Sequence, residues 1–410
     1  MNIAIIGGGA AGFFAALAAS ENHPQARVTI FEKSPKLLAK VKVSGGGRCN
    51  VTNGCTAIAQ LIKAYPRGSR QLKKAFQVFS TQDTMDWFES RGVALVIQED
   101  NCVFPVSQSS QTIIDCFLQE CQRLGVDIRT GVGVQAIVPQ GEQLELQFLK
   151  ADQPPQRFDK VVVATGGSPK RSGLDWLAHL GHEIVEPVPS LFTFNMPREP
   201  ITELMGIVVE NALVSIQGTK LKSDGPLLIT HWGMSGPAIL KLSAHGARIL
   251  SEANYQFTVQ VNWVATPNHD LVSQELEQLV KAHPHKTAAN LAPYGLPKRL
   301  WRFLLTKSQL PDTKVWGEIG KNDRNKLVML LTNDTYEVAG KTTFKEEFVT
   351  CGGVSLASLD FRTMQSTVVK NLYFAGEIID VDGITGGYNF QAAWTTAFIA
   401  GKLEGGKVEV

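Results

Sequence analysis

The opening stretch to Glu32 constrains this chain more than any other. Met1 to Ile6 is a short apolar run ending in Gly7-Gly8-Gly9-Ala10-Ala11-Gly12; an alanine-rich segment follows, and a second apolar run, Val28 to Phe31, ends in Glu32. Strand, tight glycine turn, helix, second strand and terminal acid make a dinucleotide-binding βαβ unit. Gly7 permits the turn, Gly9 lets the backbone approach a pyrophosphate, and Gly12 lets the helix pack close to the sheet. The helix start offers unpaired N–H groups to phosphates. Glu32 lies twenty residues beyond Gly12, where a carboxylate can accept bonds from ribose hydroxyls. The competing reading is a glycine-rich turn in some other α/β protein; the flanking strand, helix and acid weigh against it.

With 410 residues, 44% of them hydrophobic and 19% charged, the chain can bury more than one core, and two or three domains are expected. A net charge of +2 is too small to imply a polyanionic partner by itself. Locally the balance differs. Between Glu32 and Asp83 there is no acidic residue, yet Lys33, Lys36, Lys40, Lys42, Arg48, Lys63, Arg67, Arg70, Lys73 and Lys74 all fall there. Such a segment can form a positive entrance for phosphates or RNA, or an ordinary solvated surface. Lys33 and Lys40, beside the cofactor-like loop, are counted among its contacts. The six cysteines, Cys49, Cys55, Cys102, Cys116, Cys121 and Cys351, form no C-x-x-C and no ligand cluster with the eight histidines, so neither a metal site nor a disulfide framework is expected. They suit a reducing cytoplasm. The N-terminal strand lacks a basic leader and runs into the glycine turn, so no signal peptide is expected, and no apolar run approaches the roughly 20 residues of a membrane span.

A second glycine-rich segment, Ser44-Gly45-Gly46-Gly47-Arg48-Cys49-Asn50-Val51-Thr52-Asn53, combines close-approach glycines with one cation and two amides. It can wrap a flat polar ligand while Arg48 meets an anion. The segment resembles the G-G-G-R-C-N-x-T-N signature of the BaiN/RdsA family of NAD(P)/FAD-dependent oxidoreductases, the YhiN-like flavoproteins. There it follows the first βαβ unit and lies along bound FAD, which makes Gly46, Gly47, Arg48, Cys49 and Asn50 expected cofactor contacts. Cys49 has two readings, a redox or nucleophilic thiol and a buried small residue.

Two more signatures agree. Lys160 to Ala164 is an apolar strand ending in Thr165-Gly166-Gly167, the kind of turn that returns the chain to the cofactor in flavoproteins of this topology. Near the C-terminus, Asn371 to Ala375 leads into Gly376-Glu377, then Asp380, Asp382, Gly386, Gly387, Tyr388, Asn389, Phe390 and an alanine-rich helix. Glu377 or Asp380 can bond ribityl hydroxyls, and N–H groups from Gly387 to Phe390 can stabilise negative charge developing at N1 and O2 of reduced flavin. Tyr388 can cover the isoalloxazine or gate the site, or simply pack against Trp394. A third family motif appears as His231-Trp232-Gly233-Met234-Ser235-Gly236-Pro237-Ala238; His231 is a candidate proton donor, with a structural hydrogen bond between barrel and helix as the alternative. The nearby Lys220 and Lys222 can face an anionic substrate or water.

The expected fold is α/β: a Rossmann-like FAD-binding domain of the two-dinucleotide-binding-motif type, with an inserted β-barrel and helical region. The expected division is 1–191 and 344–410 for the FAD-binding domain, 192–265 for the barrel-like insert and 266–343 for the helical insert. Three positions depart from the family pattern: Leu38-Ala39 replaces Gly-Arg, Cys102 replaces an arginine, and Phe192-Thr193-Phe194 replaces Val-Pro-Leu. They bear on the adenosine side of the cofactor site, a substrate contact and the domain junction. There is no second G-x-G-x-x-G and no redox cysteine pair, so NAD(P)H is expected to bind transiently and reduce tightly bound FAD, which then reduces an activated C=C bond. The resemblance implies uridine in ribosomal RNA, giving dihydrouridine, or a small conjugated enone. A non-catalytic flavin-containing assembly factor and an oxidase or monooxygenase are the remaining alternatives.

Overall fold

A computed structural model describes residues 1–266, 268–343 and 349–405. The chain forms two compact units, Met1–Ser190 with Phe344–Val410, and Leu191–Thr343.

The first unit is built on five parallel strands: β1 (Asn2–Ile6), β2 (Arg27–Glu32), β3 (Asp127–Thr130), β4 (Lys160–Val163) and β5 (Leu372–Phe374). Their order is β5-β4-β1-β2-β3. Ile3 lies between Lys160 and Val28, and Val163 is opposite Phe374. The central strands are apolar because both faces are covered. Three helices do much of the covering: α1 (Ala10–Asn22), α2 (Ser110–Leu124) and α3 (Tyr388–Gly401). In α1 ten consecutive residues, Ala11 to Ser20, are buried, which is why it is small and apolar all round rather than striped. Gly401 of α3 allows close approach to α1, since a Cβ there would lie 2.5 Å from that of Ala18. Phe14 of α1, Phe117 of α2 and Trp394 of α3 meet in one aromatic cluster, Trp394 lying 5.5 Å from each of the other two rings. Trp87, on the helix Thr81–Glu89, closes it at 4.7 Å from Phe14. This cluster fixes where α3 starts.

Smaller antiparallel pieces decorate the sheet. Residues 52–53, 95–97 and 102–105 form one, and 134–140, 143–148 and 156–158 another. A strand at Ile184–Ser190 pairs with Val349–Val354. Pro187 and Pro189 hide that strand in the sequence, while Gly352 sits so close to it that a Cβ would lie 2.4 Å from the Glu186 carbonyl oxygen.

The second unit carries one seven-stranded antiparallel sheet, in the order 334–339, 256–262, 208–216, 222–230, 233–235, 193–195, 341–342. Its two edge strands are consecutive in the chain across Gly340 but share no ladder among the described residues, so the expected barrel is here a sheet that is not closed by strand pairing. The sequence reads four short runs, 204–209, 213–216, 221–223 and 227–230, where the structure has a 3-10 turn at Pro200–Leu204 and two nine-residue strands. A bulge between Val209 and Ala212 and the Asp224-Gly225-Pro226 stretch break the hydrophobic alternation without ending the strands. Helices at Pro237–Glu252, His269–Ala282, Lys298–Lys307 and Lys321–Asn333 share a single core with the sheet, containing Phe194, Leu227, Trp263, Trp301 and Leu327. The departing pair Phe192 and Phe194 fills this core: their rings stand edge-on to Tyr255 at 5.4 Å and Phe257 at 5.0 Å.

Candidate functional site

The first glycine turn lies at the C-terminal end of β1. Gly7 has φ +115° and its missing side chain leaves room for the Ala164 carbonyl, which a Cβ would approach to 2.4 Å. Gly12 is tighter still, a Cβ there falling 1.8 Å from the Gly7 carbonyl oxygen. Gly9 is different: a Cβ would meet nothing within 4 Å, so its backbone faces open space. It begins α1 with no side-chain cap, and the first helical bond runs from the Phe13 N–H to its carbonyl. The earlier N–H groups of that turn therefore await an outside acceptor. Glu32 accepts from the N–H of Gly8 at 2.7 Å and of Ser34 at 2.8 Å, bracing the turn, and each oxygen retains lone-pair capacity. Lys33 beside it is exposed.

Leu38, at the departure from the family's Gly-Arg, is buried and adopts φ +52°, a left-handed conformation in which glycine is the unstrained choice. Its N–H donates to the Gly8 carbonyl at 2.9 Å. The leucine thus holds a glycine-favoured conformation and adds a core side chain. Two residues on, Lys40 forms an ion pair with Glu377 at 2.7 Å. The other Glu377 oxygen accepts from the Thr350 N–H at 2.8 Å. Gly376 rests on the start of α1, where a Cβ would lie 2.7 Å from that of Ala11. Thr165 is exposed and Gly166, at φ +75°, borders open space. Asp380 is buried and accepts from the Gly352 N–H at 3.0 Å.

The loop from Ser44 to Asn53 meets the start of α3. Gly46 and Gly47 are left-handed with nothing within 4 Å of a Cβ. Arg48 donates to the Gly45 carbonyl at 3.1 Å and lies 4.1 Å over the Phe104 ring. Gly387, at φ +85°, presses on this loop so closely that a Cβ would lie 2.3 Å from the Thr52 carbonyl oxygen and 2.9 Å from Asn50 Oδ1. Asn53 Nδ2 donates to the Gly386 carbonyl at 3.1 Å. Below them runs a buried chain of polar groups that sequence reasoning missed. Thr52 and Thr84 hydroxyls both donate to Gln391 Oε1, at 2.5 and 2.9 Å, and Gln391 Nε2 donates to Thr395 at 3.0 Å. Trp394 Nε1 donates to the Val51 carbonyl at 2.9 Å. Like α1, α3 has no side-chain cap.

Among the candidate side chains, Cys49 is fully buried and burial pushes its thiol up to about 12, with the Ser44 hydroxyl opposing. A thiol kept protonated is a poor nucleophile; this environment fits the packed small residue. The Tyr388 ring does not pack on Trp394; Phe390 does, stacked at 5.4 Å. Tyr388 instead stands edge-on to Tyr65 at 5.9 Å, its carbonyl accepting from the Tyr65 hydroxyl at 2.8 Å. Burial pushes the Tyr388 phenol up to about 12, helped by the nearby Cys55, Cys102 and Asp100. Cys102 is half-buried, its thiol raised to about 11 chiefly by burial. Asn389 closes its own loop, accepting from the Gly383 N–H at 2.8 Å and donating to the Gly383 carbonyl at 2.9 Å. His231 belongs to the second unit, exposed in the turn between strands 222–230 and 233–235, its ring 4.1 Å from that of Trp232. Among the described residues it makes no hydrogen bond, so the structural tie between barrel and helix has no contact behind it.

The pairing of Arg67 with Asp382 also escaped the sequence reading. Arg67 makes a two-pronged ion pair with the fully buried Asp382, and Ser190 donates to the same carboxylate at 2.7 Å. The available signal was an aspartate between Val381 and Gly383 in an apolar stretch, facing a cation in the acid-free segment.

Two uncapped helix starts on one parallel sheet, with glycines facing open space at Gly9, Gly46, Gly47 and Gly166, fit a long dinucleotide: phosphates at α1, a polar ring system at α3. These features define an FAD-binding Rossmann-type flavoprotein. The chain belongs to the HI0933-like Rossmann family, whose model matches residues 1–403, a family of flavin-dependent oxidoreductases that includes BaiN/RdsA-type proteins. It is 31% identical over 409 residues to a ribosomal RNA dihydrouridine synthase of Escherichia coli strain K12, covering 96% of this chain and 95% of that protein. It is 27% identical over 410 residues to a 3-dehydro-bile acid delta(4,6)-reductase of Clostridium scindens, covering 98% of each. The fold is shared with 3-ketosteroid delta1-dehydrogenase from Sterolibacterium denitrificans, at TM-score 0.52 and 11% identity over 97% of this chain and 98% of that one. Among the described residues no helix is long and apolar enough to cross a membrane, and no His/Cys/Asp/Glu group could hold a metal ion.

Proposed function

We propose that this flavin-dependent oxidoreductase binds FAD tightly, takes electrons from transiently bound NAD(P)H in the cytoplasm, and reduces the C5=C6 bond of a uridine in ribosomal RNA to dihydrouridine. The observation that carries the cofactor reading is the docking of the α3 start onto the 44–53 loop, with Gly387 against Thr52 and Asn50 and the Thr52–Gln391–Thr84 network beneath. The first turn of α1 and Gly9 would receive the pyrophosphate, with Glu32 at the ribose and Lys33 at the adenosine side. Glu377, Asp380 and Lys40 would line the ribityl region together with Thr165 and Gly166. Gly46, Gly47, Arg48, Asn50 and the N–H groups of Tyr388 to Phe390 would border the ring system. When bound, FAD supplies hydride transfer. The protein's part is to orient the acceptor bond, exclude water and provide a proton. In this reading Tyr388, clamped by Tyr65 and kept protonated, covers the ring face, and His231 is the proton donor.

The substrate choice rests on the relative of 31% identity and on the acid-free cationic segment from Lys33 to Lys74. The bile-acid reductase relative favours a second reading, a small conjugated enone. Ribosomal RNA from a strain lacking the gene decides between them: loss of one dihydrouridine, restored by the wild-type gene, supports the RNA reading. An unchanged profile sinks it and directs the search to enones offered anaerobically to the NAD(P)H-reduced protein. Flavin that does not bleach with either nicotinamide would instead point to a non-catalytic role.

A further inference from the structure

The ten cations of the acid-free segment divide in the structure. Lys33, Lys40 and Arg48 border the cofactor loops. A second group sits on the segment 62–76, whose short helix Ser69–Ala75 buries Leu72 and Ala75 and turns Arg70, Lys73 and Lys74 to solvent. Spacings of three and four residues place those three charges on one helix face, where like charges repel by a few tenths of a kcal/mol per pair, roughly 0.2–0.5. Lys63, just upstream, is exposed too, and among the described residues its side chain bonds only to Gln60, at 2.8 Å. None of the four is ion-paired to a described residue. Elsewhere in the same unit Arg91, Arg123, Arg129, Arg157, Arg171 and Arg362 each reach a carboxylate. An uncompensated repulsive face is what a polyanion would relieve.

The position of this face matters as much as its charge. Four contacts tie its base to the loop that leads into α3. Arg67 pairs with Asp382, the Ile384 N–H donates to the Ala64 carbonyl at 2.9 Å, and the Tyr65 hydroxyl donates to the Tyr388 carbonyl at 2.8 Å. Gly68, at φ +77°, packs so tightly on Val381 that a Cβ would lie 2.5 Å from its side chain. A chain lying on the cationic face therefore runs beside the flavin loop. The face also lacks the outward apolar residues by which surface helices enter lipid, since Leu72 and Ala75 point into the core.

We propose that the solvent face of the helix Ser69–Ala75, with Lys63, is a phosphate-docking surface for structured RNA, placing one nucleotide of that RNA at the flavin loop. This rests on the RNA reading above. The test uses the FAD-loaded full chain and a fluorescent 30-nucleotide RNA hairpin. Lys73→Glu/Lys74→Glu is compared with Lys321→Glu/Lys326→Glu, an equal charge change on exposed lysines of the second unit; FAD content and melting temperature check that both are folded. The expected result is that the first variant binds on the order of tenfold more weakly and that its log K against log salt slope falls by about one to two, while the second matches wild type. Equal affinity in all three proteins, or equal losses in both variants, overturns the docking surface and leaves the RNA reading standing. A wild-type protein that does not bind the hairpin overturns both together.

Discussion

The turn Gly7–Gly12 and the turn Gly386–Gly387 each start a helix without a side-chain cap, but they are completed by very different parts of the chain. The first is made by its own neighbours: Gly8 bonds to Glu32, Gly7 to Phe31, and Gly12 packs on Gly7, with Ala164 the distant contributor. The second is held by Asn50, Thr52, Asn53, Tyr65, Arg67, Thr84 and Ser190, all of which lie far from it in sequence. A local turn can be coded by spacing alone. A turn built from distant segments needs a scaffold, and here the scaffold is a set of polar side chains, most of them buried.

The contrast gives a ranked set of substitutions. Arg67→Met leaves the carboxylate of Asp382 buried without its cation and should cost about 3–5 kcal/mol in chemical denaturation; a loss below about 1 kcal/mol would mean the second turn does not depend on this pair. Gly12→Ala forces a Cβ against the Gly7 carbonyl and should cost about 1–3 kcal/mol. Gly9→Ala, facing open space, should cost the FAD-free protein only about 0.5–1 kcal/mol, the difference between glycine and alanine at a helix cap, yet weaken FAD retention on gel filtration. If Gly9→Ala retains FAD like wild type, the open space over α1 is not the phosphate site. Gln391→Leu removes the shared acceptor of Thr52 and Thr84 and should cost about 1–2 kcal/mol, with an altered flavin absorption envelope if the network positions the ring.

The smallest effect concerns pH. His182 is buried between the Leu177 carbonyl, at 3.1 Å, and the Ser366 hydroxyl, at 2.8 Å, and burial lowers its pKa while the Leu177 bond opposes. The unfolded chain therefore binds the proton first. The stability His182 contributes is fully present above the ordinary histidine value of about 6.5 and is lost as pH falls through the folded value. Comparing wild type with His182→Gln between pH 7.5 and 5.5 should show a shallower acid decline in the variant; identical slopes would remove His182 from the account.

The same contrast explains what the residues announced beforehand. The apolar runs at β1, β2 and β4, the turn at Gly7 and the close packing at Gly12 follow from period and spacing, and the structure has them where the sequence places them. Helix 110–124 and the helices between 269 and 333 also follow from periodicity, whereas the helix Pro237–Glu252 lies inside the stretch read as barrel. What did not follow depends on contacts between distant segments. Tyr388 and Phe390 are alike as aromatics beside Trp394, and only the helical offset of four residues puts Phe390 on its face. Arg67 gave no sign of its partner, because a cation in a charged-looking segment reads as solvated until a buried carboxylate is found for it. Strand 184–190 was masked by two prolines, and strands 208–216 and 222–230 were cut in two by polar residues at a bulge and at a Gly-Pro step.

The strand order bears on how the protein is made. β4 ends at Val163, and its neighbour β5 begins at Leu372. At translation rates of about 5–20 residues per second, the edge of β4 waits roughly 10–40 s for its partner, and α3 comes later still. The second unit, continuous from Leu191 to Thr343, can complete its own core in that interval. On the proposed placement of the flavin, cofactor loading is the closing event of synthesis: α3 supplies half of that site, and a chain truncated before Tyr388 should never turn yellow.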